Sequence, residues 1–420
     1  MRIAIIGCGY VFDFYMAKFP SHPDLEIAGV YDIDTARTAA VARYYGLTVY
    51  PDLAALLADA SVGLVVNLTS IESHFAVTKA ALEAGKHVYC EKPLVTDIAQ
   101  GQELFALAEA KGLVLAAAPS NLFSDTVQTM WKAVRDGAVG TPLLAYAEFD
   151  DNPIYLMRPE SWRSASGAPW PYIHEYESGC TWEHAGYHLV WLCAILGPAI
   201  SVTGFSKRLV ADKTDLPLHP ADTPDFTVGC INFASGAAAR LTCSIIAPAD
   251  HRMRIFGRAG EISADTYRDY QAPVRLERFG GQALSARRLR AVRNSPLLGS
   301  LLGVGGVSLP LARNARSQPK VKVRSPGALK RRQEGQQDKA LGVALVADTI
   351  RTGRPSPVPP DFILHVTELT LAIQAAGTEG VAHKMQTSFA PMEPLPETLT
   401  APDYSRMYKP PLLARIAGKG

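Results

Sequence analysis

Excess charge of one sign, closely spaced cysteines and long apolar runs are all scarce in this 420-residue chain, and each scarcity removes a class of function. Lysine and arginine number 42 against 40 aspartate and glutamate, so the net charge of +2 gives no reason to invoke nucleic acid or a strongly acidic partner. The six cysteines, Cys8, Cys90, Cys180, Cys193, Cys230 and Cys243, lack the short pair spacings of a zinc site. They lie mostly among apolar residues and read as buried free thiols in a reducing cytoplasm. No charge-free run is long and apolar enough to span a bilayer. Residues 1–12 are apolar, but Gly7 and Gly9 break the run and Asp13 follows it, which suits a buried strand better than an export signal. With 48% hydrophobic and 20% charged residues the chain has ample apolar surface to bury, and its length exceeds what one core usually organises.

The balanced total conceals one uneven segment. Residues 281–340 carry 13 basic and 2 acidic side chains, a local net of +11 on a chain whose remainder is acidic. An arginine cluster (Arg287, Arg288, Arg290, Arg293) precedes a Gly-, Leu- and Val-rich stretch, and a second basic run ends at Arg332. Glycines and Pro310 argue against a long helix there. The segment reads as a surface insertion, or as an interfacial anchor with leucines in the acyl boundary and arginines on anionic headgroups, giving peripheral membrane contact.

Four regions follow. Residues 1–120 alternate short apolar runs with helical periodicity, the pattern of a parallel sheet covered by helices, with strands expected over 2–6, 26–31, 64–67, 87–90 and 113–117. Asp34 is placed to cap a helix that Gly46 ends. Residues 121–280 contain alternating stretches at 143–149, 226–233 and 237–246, expected as strands of a mostly antiparallel sheet, interrupted by one apolar helix over 181–196. Residues 281–340 are the insertion. Residues 341–420, with a helix over 361–376, pack back on the other two. The fold class is α/β: a doubly wound parallel sheet followed by an α+β domain with a large sheet.

The first strand runs into Gly7-Cys8-Gly9-Tyr10-Val11-Phe12. Two glycines in that position permit a tight turn and let backbone N–H groups approach a pyrophosphate, so Gly7, Gly9, Tyr10 and Val11 are candidate dinucleotide contacts in a Rossmann arrangement. Phe12 occupies the place of the usual third glycine and has to be accommodated by a shifted helix or by burying its ring. Asp32, 23 residues after Gly9, ends the second strand, where a carboxylate accepts both adenosine ribose hydroxyls and repels a 2′-phosphate. NAD is therefore favoured over NADP.

Further along, Thr69, Ser70 and His74 follow the third strand, and Ala84-Gly85-Lys86-His87-Val88 leads to Glu91-Lys92-Pro93. With the glycine loop, this run resembles the Gfo/Idh/MocA oxidoreductases, a family that includes glucose-fructose oxidoreductase and inositol dehydrogenase. The resemblance covers the first domain and continues through Gly140-Thr141-Pro142 and the helix containing His188, but not 281–340. It implies that Thr69, Ser70, His74, Glu91, Lys92 and Asn121 line the cofactor site, that Trp162 and Arg163 line a sugar pocket, and that the second-domain sheet pairs subunits into dimers or tetramers.

Lys92 has a physical rationale of its own. Pro93 biases it away from helical torsions at a strand end, where such sheets bind ligands, and an ammonium there can stabilise alkoxide character as hydride leaves carbon. A cationic nicotinamide beside it lowers its pKa towards neutrality. His184 and His188, four residues apart, share a helix face. His188 is the candidate for removing the hydroxyl proton, whereas His184 stands where relatives carry an aspartate and cannot supply permanent negative charge. Glu183 lies about 100° round the helix. Two histidines at this spacing also suit zinc, but no ligand spacing completes a metal site.

The expectation is an NAD-dependent dehydrogenase moving hydride between nicotinamide and a carbinol carbon of a sugar, cyclitol or nucleotide-linked sugar. The alternatives are a glycosidase that uses transient oxidation and elimination, and a non-catalytic dinucleotide-binding scaffold.

Overall fold

The computed structural model describes residues 1–279, 305–317, 337–396 and 403–404. Five parallel strands, β1 (Arg2–Ile6), β2 (Glu26–Tyr31), β3 (Leu64–Asn67), β4 (His87–Cys90) and β5 (Leu115–Ala117), form a sheet in the order β2-β1-β3-β4-β5. In β1, Ile3 and Ile5 point into one core and Ala4 and Ile6 into another, so both faces are dry and the strand reads as a continuous apolar run. Helices cover the sheet: α1 (Phe12–Met16), α2 (Thr35–Tyr45), α3 (Leu53–Ala58), α4 (His74–Glu83) and α5 (Ile98–Ala110). The Asp34 carboxylate accepts from Ala36 and Arg37 at the start of α2, and Gly46 ends it at φ 71°.

After α6 (Asp125–Arg135) the chain builds a second sheet. Its strands are β6 (Pro142–Asp150), β7 (Ala199–Lys207), β8 (Phe226–Phe233), β9 (Ala238–Ser244), β10 (Met253–Gly257), β11 (Gly260–Ala264), β12 (Val274–Arg278), β13 (Val307–Ser308) and β14 (Ala382–Lys384). The order is β13-β12-β11-β10-β6-β9-β8-β7-β14; β6 and β9 run parallel and the other neighbours antiparallel. Against one face lie α7 (Tyr172–Ser178), α8 (Cys180–His184) and α9 (Gly186–Leu196). The single helix expected over 181–196 is thus two assigned segments joined at Ala185, which keeps helical torsions.

The C-terminal part ties the halves together. Helix α10 (Ala340–Thr352) buries Val343, Ala344 and Ala347 in the core that holds Ile3 and Ile5. Helix α11 (Pro360–Gln374) packs along β7 and α9, and β14 closes one edge of the large sheet.

Part of the expected insertion belongs to the body. Leu309 and Ala312 are buried, Val307 pairs with Leu276, and Arg316 bridges Asp24 and Asp348. Apolar side chains there found a sheet edge to cover, which a charge count could not register. The arginine cluster and the second basic run, and with them the membrane-anchor expectation, lie outside the described residues. No described helix is long and apolar enough to cross a membrane. All six thiols are free; five are buried and Cys230, on the outer face of β8, is exposed.

Candidate active site

Strand order reverses at β1, and there two loops meet. Gly7 sits at φ 97°, and a Cβ on it would lie 2.5 Å from the Leu68 carbonyl oxygen after β3, so only glycine fits. At Gly9 the Cβ position faces open space, a cradle that the absent side chain leaves to an anion. Phe12 is wholly buried, edge-on to Tyr45, and α1 is only five residues long. The ring thus takes the third glycine's place in the core, and the loop's own amides rather than a long helix dipole face the phosphates.

The Asp32 carboxylate accepts from Cys8 N–H at 2.6 Å and Asp34 N–H at 2.9 Å. Each oxygen keeps a second lone pair for a ribose hydroxyl. Ile33 beside it is 90% exposed, an apolar platform of the kind an adenine covers. Arg37 donates to the Cys8 carbonyl and to Ser166. These residues fit a dinucleotide whose ribose is free of phosphate.

At the far ends of β3 and β4, Thr69 donates to Asn67 and the Ser70 and Ser73 hydroxyls lie 3.4 Å apart. His74 is buried, with Nδ1 2.7 Å from the Pro93 carbonyl and Nε2 3.1 Å from that of Thr69. Burial depresses its pKa, and the ring sits between the carbonyls of the two loops. Glu91 turns inward instead of lining the cofactor groove. It accepts from Tyr15 and lies 3.5 Å from Lys339. Burial alone would raise its pKa, but Lys339 and Lys92 outweigh that and bring it down to about 2.

Lys92 projects from the end of β4 to Glu183 Oε2, 2.8 Å away, with its ammonium 5.8 Å from the Tyr187 ring centre. Burial lowers the ammonium's pKa, yet Glu183, Tyr187 and Glu91 more than offset it. In the protein alone, then, the pKa is raised, opposite to the fall expected beside a cationic nicotinamide. Asn121 does not stand free in the groove: it is fully buried and donates to the Tyr187 carbonyl at 2.8 Å, joining the segment after β5 to α9.

His184 and His188 both reach Phe149, the first stacked at 4.7 Å and the second edge-on at 5.4 Å. They do not share a task. His188 is completely buried against Trp191 and Tyr267, with Nε2 3.2 Å from the His251 carbonyl and Nδ1 without a hydrogen-bond partner among the described residues. Burial, and then His251, push its pKa down to about 3, so it is neutral. His184 lies 3.1 Å from Glu175 and 3.9 Å from Asp151. Burial opposes its protonation, but these two carboxylates raise its pKa on balance. Asp151 also lies 3.3 Å from His251 Nε2 and accepts on both oxygens from the one Nη2 of Arg268, at 2.7 and 2.8 Å. The negative charge missing at position 184 is therefore supplied one contact away.

Trp162 and Arg163, expected beside a sugar pocket, make local contacts. Trp162 packs on Trp170, and the Arg163 guanidinium donates to the Glu160 and Trp162 carbonyls. Their loop reaches the first domain, where Ser166 donates to Asp13 through N–H and hydroxyl. It borders the dinucleotide side of the cleft.

Sequence reasoning missed Asp151, Tyr187, His251, Arg268 and Lys339, and noted Glu175 only as a neighbour in sequence of the two histidines weighed for zinc. Lys339 Nζ lies 3.1 Å from the Tyr187 hydroxyl, yet in sequence it is one of 13 basic residues in a charged segment. The acidic Asp150-Asp151 pair at the end of an apolar strand was a legible signal for Asp151.

The family model described as oxidoreductase family, NAD-binding Rossmann fold, matches residues 1–118, and that of the GFO/IDH/MocA C-terminal domain matches residues 127–263. The chain belongs to the Gfo/Idh/MocA oxidoreductase family, and its first domain is an NAD-binding Rossmann fold. It is similar to UDP-N-acetylglucosamine 3-dehydrogenase of Acidithiobacillus ferrooxidans, 32% identical over 35% of this chain and 45% of that protein. It is also similar to inositol 2-dehydrogenase 3 of Saccharopolyspora erythraea, 30% identical over 42% of this chain and 52% of that one. The chain thus matches about half the length of these curated relatives. Among solved structures, the WlbA dehydrogenase of Bordetella pertussis in complex with NADH and UDP-GlcNAcA superposes with a TM-score of 0.67 at 17% identity, covering 92% of this chain and 97% of that one. At that identity the likeness speaks for the fold.

Proposed function

We propose that the protein is an NAD-dependent oxidoreductase that interconverts a secondary alcohol and a ketone on a sugar, cyclitol or nucleotide-linked sugar. One observation carries this reading: the strand-end ammonium of Lys92 lies against Glu183 of the second domain, on the carboxyl side of the sheet whose glycine loop fits a dinucleotide. NAD, when bound, supplies the hydride acceptor. Lys92 hydrogen-bonds the substrate oxygen and stabilises negative charge developing there. Glu183 holds the ammonium in place and accepts the proton that must leave. His188, inward-facing and neutral, supports Phe149 and the helix instead of acting as the base. His184, with Glu175 and Asp151, forms a charged wall able to hydrogen-bond hydroxyls.

The outer face of the large sheet stacks Tyr146 between Arg240 and Arg254, and is the surface through which self-association into dimers or tetramers is proposed. Sedimentation velocity of the wild-type chain and of Tyr146→Glu tests it: a shift to monomer supports the contact.

The functional test is to follow NADH absorbance with NAD⁺ and a panel containing myo-inositol and UDP-N-acetylglucosamine. Turnover that Lys92→Ala abolishes supports the reading. Sugar release without net NADH points to the glycosidase alternative, and NAD binding without turnover to the scaffold.

A further inference from the structure

We propose that Glu183, His174 and Glu72 form a proton relay leading from Lys92 to solvent, an inference that rests on the oxidoreductase reading above. Oxidation of an alcohol releases one proton, and the ammonium that meets the substrate is buried. Three titratable side chains lie in file behind it. Lys92 Nζ is 2.8 Å from Glu183 Oε2, and the other oxygen of that carboxylate is 3.7 Å from His174 Nδ1. His174 Nε2 is 2.9 Å from Glu72 Oε1 and 3.1 Å from Oε2. Exposure rises along the row, from 12% and 17% for the side chains of Lys92 and Glu183 to 28% for His174 and 64% for Glu72. Glu72 opens onto a cavity of about 700 Å³ that Glu177, His219 and Asp222 also line.

The row draws on both domains, since Lys92 and Glu72 follow β4 and β3 whereas Glu183 and His174 lie on α8 and α7. It therefore exists only where the cleft is assembled. The groups facing Glu183 are Lys92, His184 and His174; those facing His174 are Glu72, Glu183 and the Ser178 hydroxyl, 3.2 Å from Nδ1. An imidazole between two carboxylates can take a proton on one nitrogen and release one from the other.

The balance is simple. Hydride leaves the carbinol C–H bond with its electron pair for nicotinamide, and the C–O bond becomes double. An N–H proton of Lys92 moves to Glu183, and the hydroxyl proton replaces it on the amine. Glu183 passes its proton to His174 Nδ1 once the resting 3.7 Å separation closes to hydrogen-bond length and Nδ1 leaves the Ser178 hydroxyl; Nε2 loses one to Glu72, and Glu72 gives it to water. Reduction runs the same path inward.

Two measurements test this on the full chain. In the first, ring ¹⁵N signals of histidine-labelled protein are recorded at one pH, with His174→Gln assigning the resonance. Glu72→Gln and Glu183→Gln are each expected to move the His174 ring signals, because each removes a carboxylate beside one ring nitrogen. Signals that Glu183→Gln leaves unmoved overturn the relay. In the second, NAD⁺-linked oxidation of myo-inositol or UDP-N-acetylglucosamine is measured in dilute buffer. His174→Gln is expected to lower kcat roughly tenfold with KM unchanged, and added imidazole to restore it. Wild-type kcat in that variant, or a loss that imidazole does not touch, overturns the relay. Glu72→Gln, altered only at the exposed end, provides the same comparison in a variant whose core is intact. If the wild-type chain oxidises neither probe, that result counts against the oxidoreductase reading, and the ring spectra still decide the relay.

Discussion

Lys92 and Glu183, 91 residues apart in sequence, meet at 2.8 Å with both side chains mostly buried. The pair is one of the points at which the nucleotide-binding domain and the large-sheet domain are joined by charge.

Removing one partner leaves the other buried and uncompensated, which typically costs about 3–5 kcal/mol. Lys92→Ala should therefore lower the melting temperature as well as kcat, the latter by roughly 10²–10⁴-fold. Lys92→Ala combined with Glu183→Ala should recover much of the stability and none of the activity. Thermal melts paired with NADH absorbance separate the two effects, and a double variant that regains turnover would refute the assigned role.

Asp32 is the residue proposed to select the dinucleotide. Replacing it with alanine removes the acceptor for the ribose hydroxyls and the repulsion of a 2′-phosphate, so NAD affinity should fall by about tenfold while that for NADP rises. Titration calorimetry with both cofactors measures the ratio; an unchanged ratio would place the adenosine elsewhere.

Glu91 makes stability depend on acid. Its pKa is lowered from 4.5 to about 2 in the folded protein, so its contribution is complete above pH 4.5 and disappears as pH falls through about 2. The difference corresponds to on the order of 3 kcal/mol. Glu91→Gln should be less stable than wild type near neutrality, and the two unfolding curves should converge as the pH is lowered across that window. Urea titrations at several pH values show whether they do.

Arg316 anchors the 305–317 segment by paired contacts to Asp24, at 2.7 and 2.8 Å, and to Asp348, at 2.6 and 3.0 Å. Its side chain is only 15% exposed. Arg316→Ala should cost about 2–4 kcal/mol in urea unfolding and release this segment to limited proteolysis while NAD binding persists. Protection equal to wild type would mean that β13 and Leu309 hold the segment without it.

The legible parts of the molecule are those set by local rules. Strands β1 to β4 match the expected ranges residue for residue, because a strand covered on both faces is an uninterrupted apolar run between turn signals. Strand β7 escaped notice: Ala-Ile-Ser-Val-Thr-Gly-Phe-Ser-Lys alternates polar and apolar residues and contains a glycine. The candidate site shows the same division. Gly7, Asp32 and Lys92 could be singled out because each sits where a strand ends, whereas His188 was assigned the base's task from the resemblance of its helix to the family pattern, and its complete burial comes from packing.

Periodicity, capping and turn chemistry act over a few residues, and they were enough to determine the doubly wound first domain, the dinucleotide loop and the lysine at the strand end. Which acid meets that lysine, which histidine is shut away neutral and which carboxylates face the cleft were decided only when α7 to α9 docked against the first domain. Helix geometry specifies the direction of a side chain relative to its neighbours on the same helix. Its charge state depends on desolvation and on ions brought from elsewhere in the chain, and those exist only in the packed structure.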